Sequence, residues 1–192
     1  MVTMADARTA MQKVQTRWGA YIPAHLLEYK AEDIFVFCDA NKYKNYFTMI
    51  YEILFKKAGN YPQESLDFFQ GPSRNICGIP AFASPHPHTR RMLYISPNDW
   101  VVEKILAHEY IHWLSHEDFY PEYYKVGGNH PFQVEGITQW VTCSTGYDNL
   151  DRAYELNLLH TNAWVWADSG NLDRMLRFMF QGVATNLDAI HP

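Results

Sequence analysis

The segment His108-Glu109-Tyr110-Ile111-His112 carries two imidazoles four residues apart with a carboxylate beside the first, the H-E-x-x-H pattern. On a helix, positions four apart stand one turn above each other, so both rings can grip one ion. Zinc suits such a nitrogen pair. Glu109 is turned about 100° from His108 and about 60° from His112. It can therefore stand beside the metal without binding it and take a proton from water that the ion has acidified toward a pKa of about 7. His108 and His112 are thus the candidate metal ligands and Glu109 the candidate acid/base.

An open zinc site holds three protein ligands and keeps the fourth position for water, so a third donor must lie elsewhere. Glu135, in Phe132-Gln-Val-Glu-Gly-Ile-Thr-Gln-Trp140, follows His112 by 23 residues. A glycine-bearing loop between them allows an antiparallel return. Asp118 is the competitor, because His108 to Asp118 also reads as H-E-x-x-H-x-x-S-x-x-D. The sharp turn this second arrangement needs favours glycine at the position Ser115 occupies, and the helical pattern seen in the sequence continues past it. His116 would sit about 12 Å along the helix from His108, too far for one tetrahedral ion. His86, His88 and His130 read as loop histidines.

Several elements must position these residues. Residues 4 to 18 read as an amphipathic helix ending at Gly19, and Asp33 to Asp39 (DIFVFCD) as a short buried strand. A helix from about Lys42 to Lys57 follows. Cys77 to Ala83 and Arg91 to Ser96 read as two strands of a hairpin with a wide loop, because Pro85 and Pro87 between them cannot serve a central strand. Ser96-Pro97-Asn98-Asp99 has the form of an N-cap, a first-turn proline and an acidic third residue, predicting that the motif helix starts there and runs to about His116. Pro131 opens the next helix, to Cys143. Two more helices are expected near Leu150 to Asp168 and Asn171 to Asp188. The order predicts an α+β fold in a single domain over residues 1–192, with a strand-containing part over about 1–96 and a helical part over about 97–192.

Composition narrows the function. The chain has 192 residues, 47% of them hydrophobic and 16% aromatic, enough for one packed core. A net charge of -5 with scattered Lys and Arg gives no footprint for nucleic acid. No run approaches the roughly 18 apolar residues of a membrane span, and the first 20 residues do not read as a signal peptide. Cys38, Cys77 and Cys143 form an odd set without C-x-x-C spacing. A reducing, cytoplasmic setting is expected, and a signal-less export route is compatible with the same features.

The pairing of HEYIH with the later VEGITQW resembles the gluzincins, the zinc peptidases of thermolysin-like and aminopeptidase-like type. The likeness covers about a third of the chain, roughly 76 to 142, and only H-E-x-x-H is specific alone. It implies a zincin-like fold, with a small mixed sheet, the motif helix and a helical C-terminal half. It further implies one Zn2+ held by His108, His112 and Glu135, with Glu109 as general base. Gly78 to Ala83 (GIPAFA) corresponds to the edge strand that holds an extended peptide, and Met92 to Ser96 to the strand beside it. The family also places an oxyanion-stabilising Tyr or His on a later segment, for which Tyr154 is the first candidate, with His160 and Tyr147 as others.

The chain departs from the family at two points. Gln139 occupies the position, four after the ligand glutamate, where thermolysin-like members often carry an acid, so a different acceptor is expected to orient His108. GIPAFA has no acidic residue to hold a free amine, which disfavours an aminopeptidase. Trp140, Trp164 and Trp166 read as core. The expectation is a hydrolase cleaving a peptide or peptide-like substrate. The alternatives are a zincin-fold enzyme acting on a small molecule or modified peptide, and a non-catalytic, toxin-like zinc-binding domain. The sequence leaves the oligomeric state open.

Overall fold

In the computed structural model, residues 1–46, 81–83, 92–97, 99, 101–116, 119, 131–148 and 172–182 are described. The expected helix near 150–168 lies outside them, as do the loop histidines His86, His88 and His130. The described architecture is mostly helical with one small sheet, consistent with an α+β class.

Helix α1 (Met4–Trp18) matches its expected span. Thr3 and Asp6 form a reciprocal capping box, with the Thr3 backbone N–H donating to Asp6 Oδ2 at 2.7 Å and the Asp6 N–H to Thr3 Oγ1 at 3.4 Å. The stripe Ala7, Ala10, Met11, Val14 and Trp18 recurs at helical spacing and is buried. At the far end the Gly19 N–H bonds the Gln15 carbonyl at 2.8 Å. Two single turns follow, α2 (Ala24–Leu27) and α3 (Ala31–Ile34), and lead directly into strand β1 (Phe35–Phe37). The strand is shorter than the expected Asp33 to Asp39. Asp33 accepts the Lys30 N–H at 3.0 Å as a helix cap, which commits Asp33 and Ile34 to the turn before the strand begins. Residues 40–46 are helical, the start of the helix expected from about Lys42.

Strands β2 (Ala81–Ala83) and β3 (Leu93–Ile95) pair antiparallel, with Ala83 opposite Leu93 and Ala81 opposite Ile95, as the hairpin reading requires. Strand β3 pairs parallel with β1, Phe35 opposite Leu93. The sheet order is β1-β3-β2, so the sheet is mixed and β2 lies at one edge of the described strands. Leu93 and Ile95 are fully buried.

The motif helix, α4 (Glu103–Leu114), starts later than the S-P-N-D signal predicts. Val102, extended at φ -125° and ψ 164°, is the N-cap, and its carbonyl accepts from the Ile105 and Leu106 N–H groups at 2.9 and 3.4 Å. Burial explains the correction. Val101 is drawn into the core on extended chain, and a β-branched pair tolerates that conformation well, so tertiary packing overrides the local cap. Eight of the helix's 12 residues are buried, including Leu106, Ala107, Tyr110, Ile111 and Leu114, and it packs against α1, α5, β2 and β3. Such a helix is the centre of the fold and has little solvent face.

Helix α5 (Pro131–Cys143) matches its expected span and lies against α4. Trp18 ties α1 to it, its Nε1–H donating to the Val141 carbonyl at 3.2 Å while its ring sits 6.1 Å from that of Trp140. Trp140 therefore packs against the core as expected; Trp164 and Trp166 are outside the described residues. Helix α6 (Leu172–Gln181) buries Met175, Leu176, Phe178, Met179 and Phe180. Among the described residues no helix is long and apolar enough to cross a membrane.

Candidate metal centre

His108 is the sixth residue of α4, in mid-helix, where its backbone is held by intact helical bonds. His108 Nε2 and His112 Nε2 stand 3.0 Å apart, with the ring planes at 76° and centroids 4.7 Å apart. The two nitrogens are thus close enough for one ion to touch both. Two nitrogens about 2.0–2.1 Å from a tetrahedral zinc stand about 3.3 Å apart, so the pair already approximates the bite of such an ion. His108 is buried, at 3% exposure, whereas Glu109 and His112 are half-buried. The pair has one side set in the protein and one side toward solvent, which a site that must admit water and substrate needs.

The core neighbours of the motif fix its orientation. Tyr110, between the two histidines in sequence, is fully buried, accepts a hydrogen bond from the Gln15 amide of α1 at 2.9 Å and stacks on Trp113 with centroids 5.8 Å apart. Tyr110 and Ile111 face inward, which turns Glu109 and His112 toward the surface by helical geometry. Burial pushes the Tyr110 phenol up to about 12.

Helix α5 supplies the second wall. Thr138, fully buried, places Oγ1 3.4 Å from His112 Nδ1. Position 135 is on the same helix three residues earlier, about 4.5 Å along the axis and about 60° round, so the backbone puts Glu135 on the face of α5 that meets His112. The Glu135 side chain is outside the described residues. Gln139 is buried and donates its amide to Cys143 Sγ at 3.4 Å, along its own helix. Thr138, beside His112, is a residue that the sequence did not single out, although a hydroxyl one turn beyond the candidate Glu135 is a readable signal.

After Leu114 the chain leaves the helix, contrary to the expectation that the helix continues to about His116. Ser115 is extended at φ -68° and ψ 139°, its Oγ donates to the Ile111 carbonyl at 2.8 Å, and the His116 N–H bonds Met179 of α6 at 2.7 Å. A side chain that bonds back to the preceding turn competes with helix continuation, and α6 takes over the next donor. Among the described residues no non-glycine has positive φ, so the left-handed turn of the Asp118 alternative is not made at Ser115. Asp118 lies outside the described residues. His116 lies beyond the helix end, with its ring against Gly182.

The Tyr147 hydroxyl is engaged away from the histidines, donating to Glu103 Oε1 at 2.5 Å at the start of α4, where Lys13 also reaches Glu103 at 2.9 Å. Burial first, and Glu103 second, push this phenol well above its ordinary range. The role visible for Tyr147 is to join α1, α4 and the end of α5. Tyr154 and His160 lie outside the described residues. Among the described residues no group of three or more His, Cys, Asp or Glu converges. Two neutral imidazole nitrogens at this separation fit a zinc ion as donors. No family model, curated protein or solved structure matches the chain.

Proposed function

We propose that the chain is a zinc-dependent hydrolase of zincin-like arrangement, cleaving a peptide bond. The observation that carries the reading is the convergence of His108 Nε2 and His112 Nε2 at 3.0 Å on one face of a central helix, with Glu109 between solvent and core beside them. His108, His112 and Glu135 would hold the ion. The placement of position 135 on the α5 face that meets His112 supports the third assignment.

The ion, when bound, supplies Lewis acidity to the scissile carbonyl and to water. Glu109 takes the proton from the attacking water as its oxygen joins the carbonyl carbon, then delivers that proton to the amine as the C–N bond breaks. Strand β2 lies at an edge of the described sheet and packs on α4, so its outer backbone groups suit an extended peptide laid beside the histidines. Tyr154 is the proposed donor to the oxyanion.

Metal content tests this first. Elemental analysis of dialysed wild type is expected to give about one zinc per chain, and His112→Ala and Glu135→Ala to lose it. Zinc kept in Glu135→Ala shifts the third ligand to Asp118, and wild type without any metal removes the reading. Glu109→Gln is expected to keep its zinc while losing turnover of a peptide library by at least about 100-fold.

A further inference from the structure

Two imidazoles can offer their Nε2 lone pairs to one ion only if each ring carries its proton on Nδ1, and a ligand histidine usually gives that proton to an acceptor on its far side. For His112 that side faces α5. Thr138 Oγ1 lies 3.4 Å from His112 Nδ1, a few tenths of an ångström longer than a well-formed N–H···O bond, and Thr138 is fully buried. The backbone that carries the hydroxyl is well seated: Ile137 and Val141 pack this stretch of α5 in the core, and Thr142 Oγ1 donates to the Thr138 carbonyl at 2.7 Å. A threonine on a helix has two main χ1 choices, one of which turns Oγ1 to its own helix, so the contact with His112 selects the other.

We infer that Thr138 is a positioning residue for His112: its Oγ1 accepts the Nδ1 proton and holds the ring in the tautomer whose Nε2 lone pair faces His108. This rests on the reading of His108 and His112 as metal ligands. Thr138 stands one helical turn from Glu135, so a single face of α5 would present both a ligand and the group that orients another ligand. The E-x-x-T spacing of Glu135 and Thr138 then performs, with a hydroxyl, the orienting work that a carboxylate performs in carboxylate–histidine–zinc triads. A neutral acceptor adds no negative charge behind the ring, so His112 is a less basic ligand than one backed by an acid.

The test is zinc titration of metal-stripped full-length protein against a chromophoric chelator, for wild type, Thr138→Val, Thr138→Ser and His112→Ala. Valine keeps the shape and removes the acceptor; its zinc affinity is expected to fall about 10- to 100-fold, the usual cost of losing an outer-sphere partner. Serine keeps the oxygen and is expected to stay within about threefold of wild type, with the metal-free melting temperatures of both variants within a few degrees of wild type. Thr138→Val binding zinc as wild type does, or serine failing to rescue, overturns the role of Thr138 and leaves the ligand pair intact. Wild type without zinc affinity, or His112→Ala with undiminished affinity, overturns the ligand pair and this inference with it. Nitrogen-15 NMR of zinc-loaded wild type checks the tautomer that the proposal requires: absence of a proton on His112 Nδ1 refutes it, and a proton there that exchanges with solvent faster in Thr138→Val than in wild type supports the contact with Thr138.

Discussion

Tyr110 offers a measurable handle on how firmly the motif helix is held. Its phenol is fully buried between α1 and α4, and burial raises it from 10.0 to about 12, the Gln15 hydrogen bond lowering it only partly. A group whose folded-state pKa is raised favours the folded state while it is protonated. Its contribution is complete below the unfolded value near 10 and is lost as pH rises through the folded value near 12. Two pH units correspond to about 3 kcal/mol, and full burial leaves little solvent screening to discount. Wild type should therefore lose about 3 kcal/mol between pH 10 and 12 from this residue alone, added to whatever other tyrosines contribute.

Tyr110→Phe removes the titration and keeps the ring against Trp113 and Phe35. At pH 8 the variant should be less stable by about 0.5–1.5 kcal/mol for the lost hydrogen bond, the small end being expected because Gln15 is half-buried and can turn to water. Above pH 10 the two stability curves should converge and cross. Urea denaturation of both proteins at pH 8, 10, 11 and 12 reads this directly, since contributions from the remaining tyrosines cancel in the difference. Parallel curves across that range would refute the burial argument, and with it the picture of α4 locked to α1 through this phenol.

Burial pushes the Glu103 carboxyl up, but the Tyr147 hydroxyl and Lys13 outweigh it and leave it below its ordinary 4.5, so its contribution is present above pH 4.5 and lost on acidification through the lower folded value; Glu103→Gln should flatten the acid limb of a melting-temperature profile and cost about 1–2 kcal/mol at pH 7. Gly182 ends α6 at φ +65°, and an added Cβ would lie 2.2 Å from His116 Nδ1, so Gly182→Ala should destabilise by more than about 1 kcal/mol in urea denaturation, whereas a neutral result would show that the α6 end is not fixed against the exit of the motif helix.

Much of this architecture was legible because its signals are local. The Thr3–Asp6 cap, the Ala7-to-Trp18 stripe and Gly19 give α1 exact ends, and Pro131 and the apolar rhythm through Val141 give α5. The motif histidines were legible for the same reason, since four-residue spacing on a helix brings two rings together whatever surrounds them. The start of α4 was not, because Val101 is placed by the core and not by its neighbours in sequence. Nor was Thr138, whose meaning depends on the distance between two helices. The exit at Ser115 depends likewise on Met179 of α6, more than sixty residues away in the chain.

These long-range determinants share a physical logic. A histidine pair on one helix is inexpensive in sequence, but its rings stay mobile until something beyond the helix restrains them. Here Ile111 and Tyr110 clamp one side of α4 to the core and α1, α5 brings a hydroxyl to the far nitrogen of His112, and α6 binds the chain as it leaves at His116. Each restraint acts on a different part of the helix: its axial rotation, the His112 ring and its C-terminal end. Restraints on separate degrees of freedom should contribute nearly additively, so Tyr110→Phe and Gly182→Ala combined are expected to destabilise by the sum of their single effects within about 0.5 kcal/mol. Thr138→Val, by contrast, acts through the proposed ligand His112, and its cost should appear in zinc affinity before it appears in the stability of the metal-free chain.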